Sequence, residues 1–62
     1  MALDLANEAK KAVQAEVKLQ DCYRRMKEQT SNPKVKAVLH DLLLMEEMNE
    51  VLIRSLHQQL RA

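Results

Sequence analysis

Two glutamates have apolar neighbours in this sequence: Glu16 lies between Ala15 and Val17, and Glu46 follows the apolar run LLLM. Charged side chains are rarely buried unless another group compensates their charge. Asn49 follows Glu46 by three residues in the run LLLMEEMNEVLI, and Tyr23 follows Glu16 by seven. Carboxylate and amide oxygens suit divalent cations such as Fe(II), Mn(II), Mg²⁺ and Ca²⁺. A metal site with Glu16, Glu46 and Asn49 as ligands is therefore the chemistry that these residue types support.

The residues around these groups favour α-helix. The chain has 62 residues, no glycine and a single proline, and strong helix formers such as Ala, Leu, Met, Glu and Lys dominate it. The helical pattern breaks at TSNP, residues 30–33, where Asn32 is a good N-cap and Pro33 is favoured at the first helical position. We predict an all-α fold with one domain over 1–62. It would be an antiparallel hairpin with a helix over 3–29, a turn over 30–32 and a helix over 33–60.

Mostly apolar residues recur along both predicted helices at alternating spacings of three and four, which is typical of a helix with one buried stripe. Each stripe is interrupted near its middle, by Glu16 in the first helix and by Glu46 and Asn49 in the second. Glu16 and Glu46 are equally distant from Ser31, so a turn centred there should bring them face to face. The predicted stripes are Leu5, Ala9, Ala12, Glu16, Leu19, Tyr23, Met26 and Thr30, and then Val35, Leu39, Leu42, Glu46, Asn49, Ile53, Leu56 and Leu60.

Further apolar residues lie outside these stripes. A single hairpin cannot cover all of them, and a chain this short is marginal alone. We therefore expect a homodimer or a higher homo-oligomer that forms a four-helix bundle, which would gather the glutamates of two copies at its centre. The additional apolar positions form a row of Val38, Met45 and Leu52 and a patch of Leu44, Met48 and Val51.

This pattern resembles half of a bundle of the ferritin-like superfamily, with the closest likeness to rubrerythrins and encapsulin-associated ferritin-like hairpins. The resemblance covers nearly the whole chain and is carried by Glu16, Tyr23, Glu46 and the run TSNPKVKAVLHDLLLMEE. It implies that Glu16 and Glu46 ligate iron or another divalent cation at a dimer interface. It also implies that the hydroxyl of Tyr23 steadies a ligating glutamate. Asn49 stands where the family's Glu-x-x-His motif has histidine, and it offers an amide oxygen instead.

The same resemblance implies oxidation of Fe(II) by oxygen, in a weak or absent form because the imidazole is missing. A metal-free interpretation uses the same residues. Buried polar groups can form a layer that fixes helix register and partner choice, here with protonated carboxyls hydrogen-bonded to Asn49. The chain would then be a structural or adaptor hairpin that binds a protein partner through its remaining apolar surface.

Charge and composition narrow the classes of partner. A net charge of +1 gives no general attraction to nucleic acid or to an anionic membrane, and the apolar runs are far too short for a membrane span. Cys22 is the single cysteine and has no partner within the chain. An unpaired cysteine and the absence of an apolar leader segment in the sequence predict a reducing, cytoplasmic setting. We expect Cys22 to be semi-buried, and His40 and His57 to lie at the edge of the stripe rather than on a metal.

Overall fold

The structure is a computed structural model that describes residues 3–61, and it consists of two helices packed against each other. Helix α1 spans Leu5–Gln29 and helix α2 spans Pro33–Arg61. The all-helical hairpin expected from the composition is therefore present. It is elongated, with extents of 48 × 19 × 13 Å, because each helix runs along most of its length. Within residues 3–61, neither helix has an apolar stretch long enough to cross a membrane.

Side chains next to the helices explain where each helix begins. The carboxylate of Asp4 accepts a hydrogen bond from the backbone N–H of Asn7 at 3.1 Å and caps α1. The side-chain oxygen of Asn32 accepts from the backbone N–H groups of the two residues after Pro33, at 2.9 and 3.3 Å. Thr30 ends α1 in an extended conformation. The turn is therefore closed by side-chain caps, which is why the chain makes it without glycine.

The surface between the two helices, called the seam below, has a small apolar core that includes one buried polar residue. Ala9 and Val13 near the start of α1 are buried on it, as are Leu39 and Leu43 in the first half of α2. Gln20 is buried with them and keeps only 4% of its surface exposed. Half-buried side chains continue the seam: Glu16, Tyr23 and Lys27 on α1, and Leu42, Glu46, Glu50, Ile53, His57 and Leu60 on α2.

The seam is rotated relative to the stripes predicted from the sequence. The seam and the predicted stripe on each helix both repeat at spacings of three and four residues. They share every second position, and at the positions between these the seam residue lies one place away from the predicted one. Hydropathy does not separate them, because the seam includes the polar Gln20 and Glu50 and leaves many apolar residues outside. The predicted inward positions that are instead exposed in the hairpin are Leu5, Leu19, Met26, Val35, Asn49 and Leu56.

The two long sides of the hairpin differ in character. On a helix of about 3.6 residues per turn, Lys10, Val17 and Arg24 share one side of α1. The Nη2 atom of Arg24 lies 3.6 Å from Oε1 of Glu47, so the polar flanks of both helices lie on the same side of the hairpin. The opposite flanks together form what we call the apolar face: Leu5, Ala12, Leu19 and Met26 of α1, and Val35, Val38, Leu42, Met45, Asn49, Leu52 and Leu56 of α2.

Candidate carboxylate site

Glu16 and Glu46 lie together on the seam, at its border with the apolar face. Both are half-buried. On the surface of α1, Glu16 neighbours Ala12 and Leu19, which are four residues before it and three after it. A hydrogen bond with the Glu46 side chain raises the pKa of Glu16, and burial and the negative charges of Glu46 and Glu50 raise it further. Glu16 therefore holds a proton more tightly than a solvated glutamate does.

One oxygen of Glu16 has no hydrogen-bond partner. Its Oε2 atom is buried, and no donor group within residues 3–61 hydrogen-bonds to it. Most buried polar atoms are hydrogen-bonded, and leaving one without a partner costs about 1–3 kcal/mol. A proton would satisfy this oxygen as it stands, whereas a water molecule, a cation or a group from a second chain reaches it only when the Glu16 side chain turns towards solvent. The carboxylate pair is thus only partly satisfied by its own hairpin.

A second polar cluster, formed by Gln20, Glu50 and Arg54, lies beside the glutamate pair. The Nε2 atom of Gln20 donates to Oε1 of Glu50 at 2.8 Å and to the backbone oxygen of Glu46 at 3.4 Å. The Nε atom of Arg54 donates to Oε2 of Glu50 at 2.7 Å. The bond from Arg54, followed by that from Gln20, lowers the pKa of Glu50. Glu50 therefore stays ionised, and its charge helps to raise the pKa of Glu16.

Sequence reasoning missed most of this cluster. The four-residue spacing of Glu50 and Arg54 is enough to suggest their ion pair, but it does not reveal that the Glu50 carboxylate is half-buried on the seam. Gln20 gave no signal, because glutamine is a good helix former that is mostly found exposed. The available clue was that Gln20 lies seven residues after Val13 and four after Glu16, and this spacing becomes informative only once the seam is known.

The structure brings together part of the predicted ligand set. Glu16 and Glu46 approach each other as predicted. The contact between Gln20 and Glu46 shows that the midpoint of the pairing lies slightly after Ser31 in the sequence. Asn49 is exposed on the apolar face instead of pointing into the seam, since Glu50 takes the seam position. Tyr23 is half-buried. Within residues 3–61 of one chain, no group of three or more His, Cys, Asp or Glu side chains could hold a metal ion.

Other candidate residues lie apart from the glutamate pair. Cys22 is exposed, not semi-buried as expected, because Tyr23 occupies the neighbouring seam position. His40 is exposed and His57 is half-buried. The carboxylate of Asp21 pairs with the guanidinium of Arg24 at 3.3 Å on the exposed surface of α1.

Comparison with known proteins adds no family assignment. No protein-family model, curated protein or solved structure matches the chain. The fold and site therefore define a class in structural terms: an antiparallel helical hairpin with a carboxylate pair beside an exposed apolar face. The likeness to ferritin-like hairpins stays a prediction from the residues that carry it.

Proposed function

We propose that this chain is half of a ferritin-like four-helix bundle that pairs with a second copy and binds a divalent cation, foremost iron, between the hairpins. Glu16 and Glu46 of both copies are the proposed ligands. The observation that carries this proposal is the position of the carboxylate pair. It borders the apolar face, and it includes the buried Oε2 atom of Glu16 that its own hairpin leaves without a partner.

The apolar face supports pairing of two identical copies. Met45, Leu52 and Leu56 on this face are each more than half exposed, while the apolar core within residues 3–61 consists of four buried side chains. A domain with so small a core is marginal alone, and oligomerisation is a usual remedy where no disulfide is formed. The net charge of +1 leaves little repulsion between two copies.

Two-fold pairing is the commonest arrangement of identical subunits, and it would bring the carboxylate pairs of both copies near one axis. Several carboxylates in an apolar interior need a counter-charge. A divalent cation supplies it and competes with a proton for the Glu16 carboxylate. Asn49 lies on the same face and offers an amide oxygen. Iron bound there would supply the capacity to transfer electrons to oxygen.

A metal-free adaptor is the second candidate, and the Gln20–Glu50–Arg54 cluster favours it. This cluster is already internally bonded. A proton shared between Glu16 and Glu46 would complete a polar layer without any ion. The apolar rows of α2 would then bind a different protein.

Native mass spectrometry after anaerobic exposure to Fe(II) tests the metal site. We expect paired chains that carry about one or two ions per pair, the stoichiometry of carboxylate sites in helical bundles. Glu46→Gln keeps the shape of the side chain but removes its charge, so it should abolish ion binding. Glu47→Gln is the matched control, because Glu47 is exposed and contacts Arg24 at the polar side. A metal-free pair that Glu46→Gln leaves intact or stabilises would refute the metal site and favour the adaptor.

Asn49→His gives an independent test of the position of the ion. Imidazole is a better ligand for iron than an amide oxygen, so the variant should bind Fe(II) more tightly than the original chain in an anaerobic titration. Unchanged affinity would show that residue 49 does not face the ion.

A further inference from the structure

The polar side of the hairpin, opposite the apolar face, contains an open groove lined by cations. Lys10 and Lys18 of α1 line it together with Arg54, His57 and Arg61 of α2. The groove has a volume of about 1030 Å³. Among residues 3–61, no aspartate or glutamate lines it, although the chain has nine acidic residues. The groove is therefore strongly basic on a protein whose net charge is only +1.

The polar groove residues are arranged in levels along the two helices. Helix α1 contributes Lys10, Gln14 and Lys18 at steps of four residues, about 6 Å each along the axis. Helix α2 runs in the opposite direction and contributes Gln58 between its two arginines. The groove thus has cations from both helices towards each end and amides between them. Its two lysines lie about 12 Å apart along the helix axis.

Most of this positive charge is not neutralised by the hairpin. None of the ion pairs within residues 3–61 involves Lys10, Lys18 or Arg61. Arg54 binds Glu50 through its Nε atom, so both of its Nη groups remain available as donors. Four permanent cations therefore face a single groove, and three of them have no acidic partner in the described part of the chain.

We propose that this groove binds an elongated anion made of linked phosphate groups. The planar guanidinium of Arg54 or Arg61 matches the oxygens of a phosphate group, and lysine adds a compact point charge. Each phosphate carries roughly one to two negative charges, so a chain of about three comes close to neutralising the four cations. A single phosphate is too short to reach both ends of the groove.

The apolar floor of the groove distinguishes two ligands that contain linked phosphates, a free inorganic chain and a nucleoside triphosphate. Val13 and Val17 form its apolar part. A free inorganic chain would use only the cations and amides, whereas a nucleoside triphosphate could also rest its base on the valines. The groove lies on the side opposite the apolar face, so pairing of two copies leaves it open. Phosphate binding and metal binding are therefore tested separately.

Isothermal titration calorimetry with sodium tripolyphosphate and with adenosine triphosphate tests the proposal. The buffer contains no metal ions and about 150 mM NaCl, which limits long-range attraction to about 8 Å. We expect saturable binding of tripolyphosphate. Equal affinity for the two ligands would identify the phosphate chain alone as the recognised group, and tighter binding of the nucleotide would add the valine floor. Failure of both ligands to bind would overturn the proposal.

Paired lysine substitutions provide the control for location. Lys10→Gln with Lys18→Gln removes two groove cations and keeps good helix formers. We expect binding about tenfold weaker, from the loss of two screened charge contacts, and a shallower dependence on salt. Lys34→Gln with Lys36→Gln removes the same charge from exposed positions near the turn and should leave the affinity unchanged. Equal weakening in both variants would show unspecific attraction and refute the groove. Circular dichroism confirms that each variant is as helical as the original chain.

Discussion

Polar substitution of the apolar face should separate the proposed pair of chains. Met45 and Leu52 are 60% and 62% exposed in the single hairpin. Burying a whole Leu or Met side chain contributes about 1.5–3 kcal/mol, so burying the exposed part contributes about 1–2 kcal/mol. Two such residues in each of two copies amount to about 4–8 kcal/mol. Met45→Gln with Leu52→Gln should therefore weaken pairing by about 10³–10⁶-fold.

Sedimentation equilibrium over a range of protein concentrations measures this change. The original chain should sediment as a dimer or a multiple of dimers, and the double variant as a monomer at the same concentrations. Met48→Gln with Val51→Gln is the matched control, because these residues are each 67% exposed but lie on the outer surface of α2. If the control variant dissociates as readily as the first, or if the first stays paired, the apolar face is not the contact between copies.

The remaining predictions concern the stability of the hairpin. Because the pKa of Glu16 is raised on folding, the stability it contributes is complete below the ordinary value of 4.5 and is lost as the pH rises through the raised pKa. Glu16→Gln should remove this loss of stability with rising pH, which urea unfolding at several pH values measures. If the free energy of unfolding of the variant depends on pH as that of the original chain does, the prediction is wrong. Leu39 is 3% exposed, so Leu39→Ala should cost about 2–5 kcal/mol. Leu44→Ala, at an exposed position, is the control. If Leu39→Ala lowers the urea midpoint less than this control does, Leu39 is not buried on the seam. Asp4→Ala removes the cap of α1 and should cost about 1 kcal/mol, detected as faster amide hydrogen exchange confined to the first turn.

The sequence was sufficient to predict the helices and the turn. Helix-forming residues fill both segments, and Asn32 with Pro33 marks the boundary through local chemistry that needs no tertiary contacts. Such signals depend only on neighbouring residues, so they survive in any packing arrangement. The observed helices, Leu5–Gln29 and Pro33–Arg61, begin and end close to the predicted residues.

The seam could not be located in the same way. The apolar residues of this chain cover more of each helix than one partner helix can bury, so periodicity indicates a broad surface and not the line of contact. The predicted stripe included Leu19 and Asn49, which are exposed, and missed Gln20 and Glu50, which lie on the seam. Which polar side chain is buried depends on partners across the seam, and those partners follow only from three-dimensional packing.

Gln20 has a consequence for how the two helices stay aligned. Aliphatic side chains on the seam tolerate sliding, because one helical turn brings similar residues into similar places. A slide of one turn, about 5.4 Å, would carry the Gln20 amide away from Glu50 and from the backbone of Glu46. The buried amide would then lack its partners, at a cost of about 1–3 kcal/mol. Gln20 therefore fixes the alignment of the two helices. The meeting of Glu16 with Glu46 thus depends on a neutral side chain that is not among the proposed metal ligands.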